Sequence, residues 1–358
     1  MTVKSAKKGG LGQLMIPLVA LGILILFNLI RDPGFFSIRM SANSEGNNVL
    51  SGNLISIIDS ASALAIISMG MTLVTASCGG QDISVGAVGA IAGAFFVKIA
   101  NGGSEITGGS VALGILVCIL ATIAFMMLNG TLVAVFNIQP MIATLILFSC
   151  GRSIAYWING SASPQMNSPI IRAMGMTIPG IPIPTPILAV ALMALLLSLV
   201  FRFTSLRLYT QSVGINQGAA RLNGISPTAM KLLSFVILGI CVAVAAVIGV
   251  SRLGQLNHKT LLIDIEMDAI LAVAIGGNNL GGGRFRLLGS VLGAYIIQML
   301  TTTLYAMNVD PVNVKAYKAI VIIIIVVAGS PVIKRYISSI IRSLRAGRAG
   351  QAAAKGAK

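Results

Sequence analysis

An all-α, polytopic transmembrane helix bundle of about ten spans, with discontinuous helices and both termini cytoplasmic, is what this 358-residue sequence predicts. Three observations carry that prediction. Only 9% of residues are charged and 56% are hydrophobic, whereas a soluble domain carries roughly a quarter charged residues. The apolar runs are continuous and approach the ~20 residues that cross a ~30 Å hydrocarbon layer; they do not alternate as barrel strands do. Polar, glycine-rich stretches interrupt two of the runs, and these are the expected breaks.

The segments fall at 11–30, 54–76, 84–100, 110–136, 140–158, 185–203, 229–250, 266–278, 287–306 and 314–331. The basic stretch "MTVKSAKKGG" and the apolar run behind it imitate a signal peptide. The run is too long for one and no A-x-A site follows, so it is the first span. Pro140, Pro186, Pro227 and Pro311 stand at or just before span starts, where a missing N–H is harmless. Pro17 alone lies inside a span, where a kink is expected.

Lysines and arginines set the orientation. With a cytoplasmic N-terminus, sixteen fall on inside segments and eight on outside ones, where seven of the nine acids also lie. This divides the chain into a cytoplasmic tail (1–10), a membrane domain (11–331), a cytoplasmic loop within it (204–227) and a basic cytoplasmic tail (332–358). In that tail Ile333, Ile337, Ile340, Ile341 and Leu344 recur at helical spacing beside basic residues. That pattern suits a helix lying on anionic membrane lipid, or a solvated tail.

Several function classes are disfavoured. The formal charge of +16 follows from retention of basic loops in the cytoplasm and needs no nucleic acid. Cys78, Cys118, Cys150 and Cys241 are scattered through apolar sequence, without metal-ligand spacing. The single histidine, His258, leaves no room for a His-based zinc site or a Ser-His-Asp triad, and is read as a solvated loop residue. No catalytic residue, metal or cofactor is therefore expected. The phosphate-binding G-x-x-x-x-G-K-[ST] loop is absent, so an ATP-driven process would need a separate engine.

The polar islands are the candidate site. An Asp at mid-bilayer costs about 2.5–3.5 kcal/mol on insertion scales, so it is retained facing a partner, the bundle interior or a water-filled path. Asp59 lies within the second span, and Gln81 and Asp82 follow Gly79–Gly80. Asn278 and Asn279 follow Gly276–Gly277. These five are the candidate solute pathway, since amide and carboxylate groups match a many-hydroxyl solute; Asp82 as a helix cap is the structural alternative. Arg152 in "FSCGRSIAYW" is a candidate counter-charge. The two glycine stretches are six spans apart and would share one side of the membrane, a faint sign of internal repetition. In the 204–227 loop, "NQGAARLNG" is expected to form a brief surface helix ending at Gly224, either as a connector or as a partner-docking knob.

Four stretches together resemble the permease subunits of sugar-importing ABC transporters of the ribose/galactose type. "MGMTLVTASCGGQDISVGAV" is similar to that family's M-T-x-V-x-x-x-G-G-x-D-L-S-V-G signature, and "NGTLVAVFNIQPMIATL" to its fourth-to-fifth-span motif. "VGINQGAARLNGI" and "EMDAILAVAIGGNNLGGGRFRLLGSVLGA" follow in the family's order, over about residues 50 to 330. "GGRF" and "IQPMIATLILF…GR" are similar to permeases for galactofuranose-like sugars. Gln81 stands where the family usually has an aliphatic residue, and Arg286 in a run that is often small or neutral.

The resemblance implies a non-enzymatic subunit of the bacterial cytoplasmic (inner) membrane that moves a monosaccharide inward by alternating access. It also implies an ATP-binding subunit, an extracytoplasmic sugar-binding protein and a second permease subunit, in a homodimer or heterodimer. Gly214, Asn216, Ala219, Ala220 and Gly224 would form the loop that contacts the ATPase. Read without the resemblance, the same residues also allow an ion-coupled carrier or channel with Asp59, Asp82 and Arg152 as a proton relay.

Overall fold

The computed structural model describes residues 8–42, 48–103, 106–160, 162–166 and 168–329. Among them are fourteen helices and one two-stranded sheet. Each of the ten apolar segments falls on a helix. α1 is Lys8–Arg31; α2 (Asn53–Ser60) and α3 (Ser62–Cys78) share the second segment; α4 is Val85–Ala100, α5 Gly108–Ala134 and α6 Pro140–Ile158. A short α7 (Pro169–Gly175) precedes α8 (Thr185–Phe203). The 204–227 loop holds α9 (Leu206–Ile215) and α10 (Gln217–Leu222). Then follow α11 (Pro227–Leu253), α12 (Ile265–Ile275), α13 (Leu287–Ala306) and α14 (Pro311–Gly329). The N-terminal tail before residue 8 and the basic tail 332–358, with its amphipathic pattern, lie outside the described residues.

By length and composition, α5, α6, α8, α11 and α13 can each cross a membrane, and α2 with α3 makes a sixth when that pair, bent by 40°, is taken as one. α4 and α12, at 16 and 11 residues, are too short to span alone. The ten-span expectation therefore coarsens to a polytopic bundle with five or six full-length helices among the described residues.

The helices differ in what surrounds them. α3 is buried continuously from Leu64 to Ser77, and α4 from Val85 to Ala94, as apolar-all-round helices should be. α11 packs on α3, α5 and α4. In contrast, α5 turns Leu113, Leu116, Leu120 and Met127 outward, at the three- and four-residue spacing of a face that a bilayer solvates. Lipid tails are as apolar as leucine, so close approach of small residues has to hold such helices together. α12 and α13 meet in this way: Gly276 lies against the Gly289–Ser290 backbone, and Gly293 against the Ala272 carbonyl.

One element lies outside the all-α expectation. β1 (Arg39–Ala42) and β2 (Asn48–Ser51) pair antiparallel, with Arg39 opposite Ser51. The Leu50 N–H donates to the Pro182 carbonyl at 2.9 Å, tying this hairpin to the connection before α8. From Leu304 the chain forms a separate compact unit. There α14 begins just after Asp310, whose Oδ1 accepts the Val312 N–H at 2.9 Å.

Candidate functional site

The first break lies between α3 and α4. Gly79 ends α3 with a left-handed φ of 64°, which glycine adopts without a Cβ penalty. Beyond it Gly80 rests on the Pro140 ring at the start of α6, with 2.8 Å separating an added Cβ from Cγ. The Ile83 N–H reaches Thr144 Oγ1 at 3.2 Å, one turn further along α6, and Ala87 lies against Gly151. Between Pro140 and Gly151 α6 advances eleven residues, about 16 Å at 1.5 Å per residue. The chain thus runs along α6 without helix from Gly79 to Ser84, and α4 starts part-way along α6.

Asp82 sits in this stretch and is fully buried. Its Oδ1 accepts both the Ser84 N–H and the Ser84 hydroxyl at 2.6 Å. Asn129 on α5 donates from Nδ2 to Ser84 Oγ at 2.9 Å and to Asp82 Oδ2 at 3.4 Å. Asp82 thereby organises the turn that starts α4. Gln81 Nε2 donates to the Leu280 carbonyl at 2.9 Å, in the second break.

That second break lies between α12 and α13, and Asn278 stitches it. Its Oδ1 accepts the Arg286 N–H at 2.7 Å. Its Nδ2 donates to Ser290 Oγ at 2.8 Å, Arg286 O at 3.2 Å and Val273 O at 3.3 Å. The Ser290 hydroxyl is 2.6 Å from that of Thr72 on α3. Asn279 closes a local turn, donating to Gly282 O at 3.0 Å and accepting from Gly281 N at 3.3 Å. Burial, and then the neighbouring Arg284, hold the Arg286 guanidinium below its usual pKa.

The structure therefore brings Gln81, Asp82, Asn278 and Asn279 into the region of two touching breaks, where Gln81, Asn278 and Asn279 bond mainly to backbone and Asp82 mainly to the Ser84 and Asn129 side chains. Asp59 is not among them. It lies at the opposite end of α3, about 25 Å away by helix length, where its Oδ1 is 2.9 Å from Arg252 Nη2. The same Nη2 donates to the Asp59 carbonyl at 3.0 Å, at the bend between α2 and α3.

Arg152 corrects the counter-charge expectation: neither Asp59 nor Asp82 receives it. Its guanidinium donates to four main-chain carbonyls, those of His258, Lys259, Leu261 and Leu262, at 3.0 to 3.4 Å. Residues 255–264 run without helix before α12, and Leu262 and Asp264 have positive φ of 51° and 59°. Irregular backbone inside a membrane bundle needs internal donors, and arginine carries five. The Leu262 carbonyl and the buried Glu266 carboxylate both face Gly86, so α4 and α12 start from the same neighbourhood and diverge. His258 is correspondingly not solvated: it is 8% exposed, with its ring 4.7 Å from that of Tyr156.

In the 204–227 loop, the Asn216 side chain caps α10 by accepting the Ala219 N–H at 3.0 Å. Gly224 ends the segment with φ 75°, matching the expected short helix. Asn216, Ala219 and Gly224 are exposed, Ala220 is buried and Gly214 is half-buried. Sequence reasoning missed Asn129, Thr144 and Ser290. Asn129 had a usable signal, being the lone amide inside the 27-residue α5.

The family described as branched-chain amino acid transport system / permease component matches residues 53–329, which contain both breaks and the 204–227 loop. The chain belongs to this permease family. Three relatives match it over most of their length. The galactofuranose transporter permease YtfT of Escherichia coli K12 is 35% identical over 91% of each chain. The fructose import permease FruF of Bifidobacterium longum is 33% identical over 88% of this chain and 86% of its own. The ribose import permease RbsC of Escherichia coli K12 is 31% identical over 86% of this chain and 91% of its own. No solved structure matches. Membership makes the chain the multi-pass membrane component of a bacterial ABC importer, with hydrolysis assigned to an ATPase partner and solute capture to a binding protein.

Proposed function

We propose that this chain is one of two permease subunits of an importer that carries a monosaccharide into the bacterial cytoplasm by alternating access. The observation that carries the sugar assignment is the likeness, over most of each chain, to permeases named for galactofuranose, fructose and ribose, although the family description mentions amino acids. In this reading the chain crosses the inner membrane ten times, the short α4 and α12 completing their crossings through the non-helical breaks. Gln81, Asp82, Asn278 and Asn279 serve the pathway by holding the breaks in shape, and Asp59 by latching the opposite end to Arg252. The loop 204–227 receives the ATP-binding subunit, with Asn216, Ala219 and Gly224 at the contact and Ala220 packed beneath. Subunit pairing is open to a homodimer or a heterodimer.

The ion-coupled reading finds no support in the geometry. Asp59 is occupied by Arg252, Asp82 by Ser84 and Asn129, and Arg152 by carbonyls, so the three groups form no relay. The test is uptake of labelled D-ribose, D-fructose and D-galactose into proteoliposomes holding permease, ATPase and binding protein. Uptake of one sugar should require ATP and survive an uncoupler. Uptake by permease alone, or uptake abolished by the uncoupler at constant ATP, would refute the proposal.

A further inference from the structure

The end of α9 meets both breaks at a single point. The Gly283 N–H donates to the Ala76 carbonyl at 3.0 Å, linking the second break to the last turn of α3. Gly214 lies directly on this bond. A Cβ there would overlap the Ala76 carbonyl oxygen and stand 2.6 Å from the Gly283 nitrogen. Around it, a Cβ on Gly282 would be 3.0 Å from Gly79 Cα and 3.2 Å from the Gly214 carbonyl, and one on Gly79 would be 2.9 Å from the Gly281 carbonyl. Three chain segments thus touch backbone to backbone, with no side chain between them. Two residues beyond Gly214, Asn216 caps α10.

Interiors this closely packed transmit displacement, because no soft side chain can absorb it. We propose that Gly214 is a coupling residue and not an ATPase contact: it is the rigid joint through which movement of α10 reaches both breaks together. The proposal rests on the reading of 204–227 as the docking loop, and it takes Gly214 out of the docking surface. It also accounts for Gln81, whose amide joins the same two breaks.

The test uses permease co-purified with its ATPase, carrying Cys78→Ser and Cys150→Ser, with Leu280→Cys as reporter on the second break. N-ethylmaleimide labelling is timed with and without Mg-ATP. Nucleotide should change the rate by about tenfold, an ordinary size for coupling between sites. Gly214→Ala should retain the ATPase subunit at full stoichiometry and abolish the change. Gly283→Ala adds the strain of a side chain at φ 76°, but its methyl meets the movable Cγ1 of Ile215 at 2.7 Å and no backbone atom as closely as a Cβ on Gly214 does; it should reduce the change and decides the matter should Gly214→Ala fail to fold. Gly22→Ala, on the exposed face of α1 where an added Cβ meets nothing within 4 Å, should respond like the parent.

A parent insensitive to nucleotide, an unaltered response in both joint variants, or loss of the ATPase from Gly214→Ala would overturn the joint. Failure of the docking reading shows differently: Asn216→Asp and Gly224→Pro would then both keep the ATPase.

Discussion

The two breaks interrupt the bundle at adjoining places but are held in different ways. The first, after Gly79, contains a buried carboxylate and leans on its neighbours: Asn129 of α5, Thr144 of α6 and the Leu280 carbonyl each take one of its polar groups. The second, after Gly276, is closed mainly by its own Asn278, and its outside links include Ser290 to Thr72, the Gly283 N–H to the Ala76 carbonyl and the Leu280 carbonyl to Gln81. A break anchored to several helices shifts only when they do, whereas a self-closed break travels as a piece.

Substitutions can break this contrast. The largest effect is expected from Asp82→Leu, which removes the acceptor from the Ser84 N–H, the Ser84 hydroxyl and the Asn129 amide. Each buried donor left unpaired costs about 1–3 kcal/mol, so thermal unfolding of the detergent-solubilised protein should show a loss of about 3 kcal/mol or more. Asn278→Ala should follow at about 2 kcal/mol, and limited proteolysis should find new cleavage confined to 276–286. Spread of cleavage to 79–84 would contradict the self-closed description.

Asp82→Asn keeps an acceptor for Ser84 and discards the charge. A loss of about 1 kcal/mol is expected, with transport retained if the carboxylate serves structure and lost if its charge serves the solute. Gln81→Leu should have the smallest effect, about 0.5 kcal/mol, because only the bond to Leu280 is lost. Its sharper consequence should be looser coupling between the breaks, seen as a smaller nucleotide response of Leu280→Cys labelling.

Much of this fold was legible because a bilayer imposes a composition signal: each of the ten apolar runs lands on a helix. The breaks were legible too, since Gly79–Gly80 and Gly276–Gly277 stand beside amides and carboxylates that lipid does not solvate. Their contact agrees with the expectation of one shared membrane side. Depth was not legible. Hydropathy does not register that residues 80–85 climb along α6, or that 255–264 run without helix before α12. Arg152 was misread because carbonyl partners leave no side-chain signature in the sequence. The bend between Ser60 and Ser62 has no proline or glycine to announce it, and strands of four residues are too short to show a period.

The central claim is that both breaks and the α9–α10 loop share the cytoplasmic face, opposite the Asp59–Arg252 pair. Single cysteines at Leu222, Leu280 and Leu253, in a background lacking Cys78 and Cys150, test it through a membrane-impermeant maleimide applied to oriented vesicles. Leu222→Cys and Leu280→Cys should react only in inside-out vesicles, and Leu253→Cys only in right-side-out ones. Labelling of Leu222→Cys or Leu280→Cys from the outside would contradict the account.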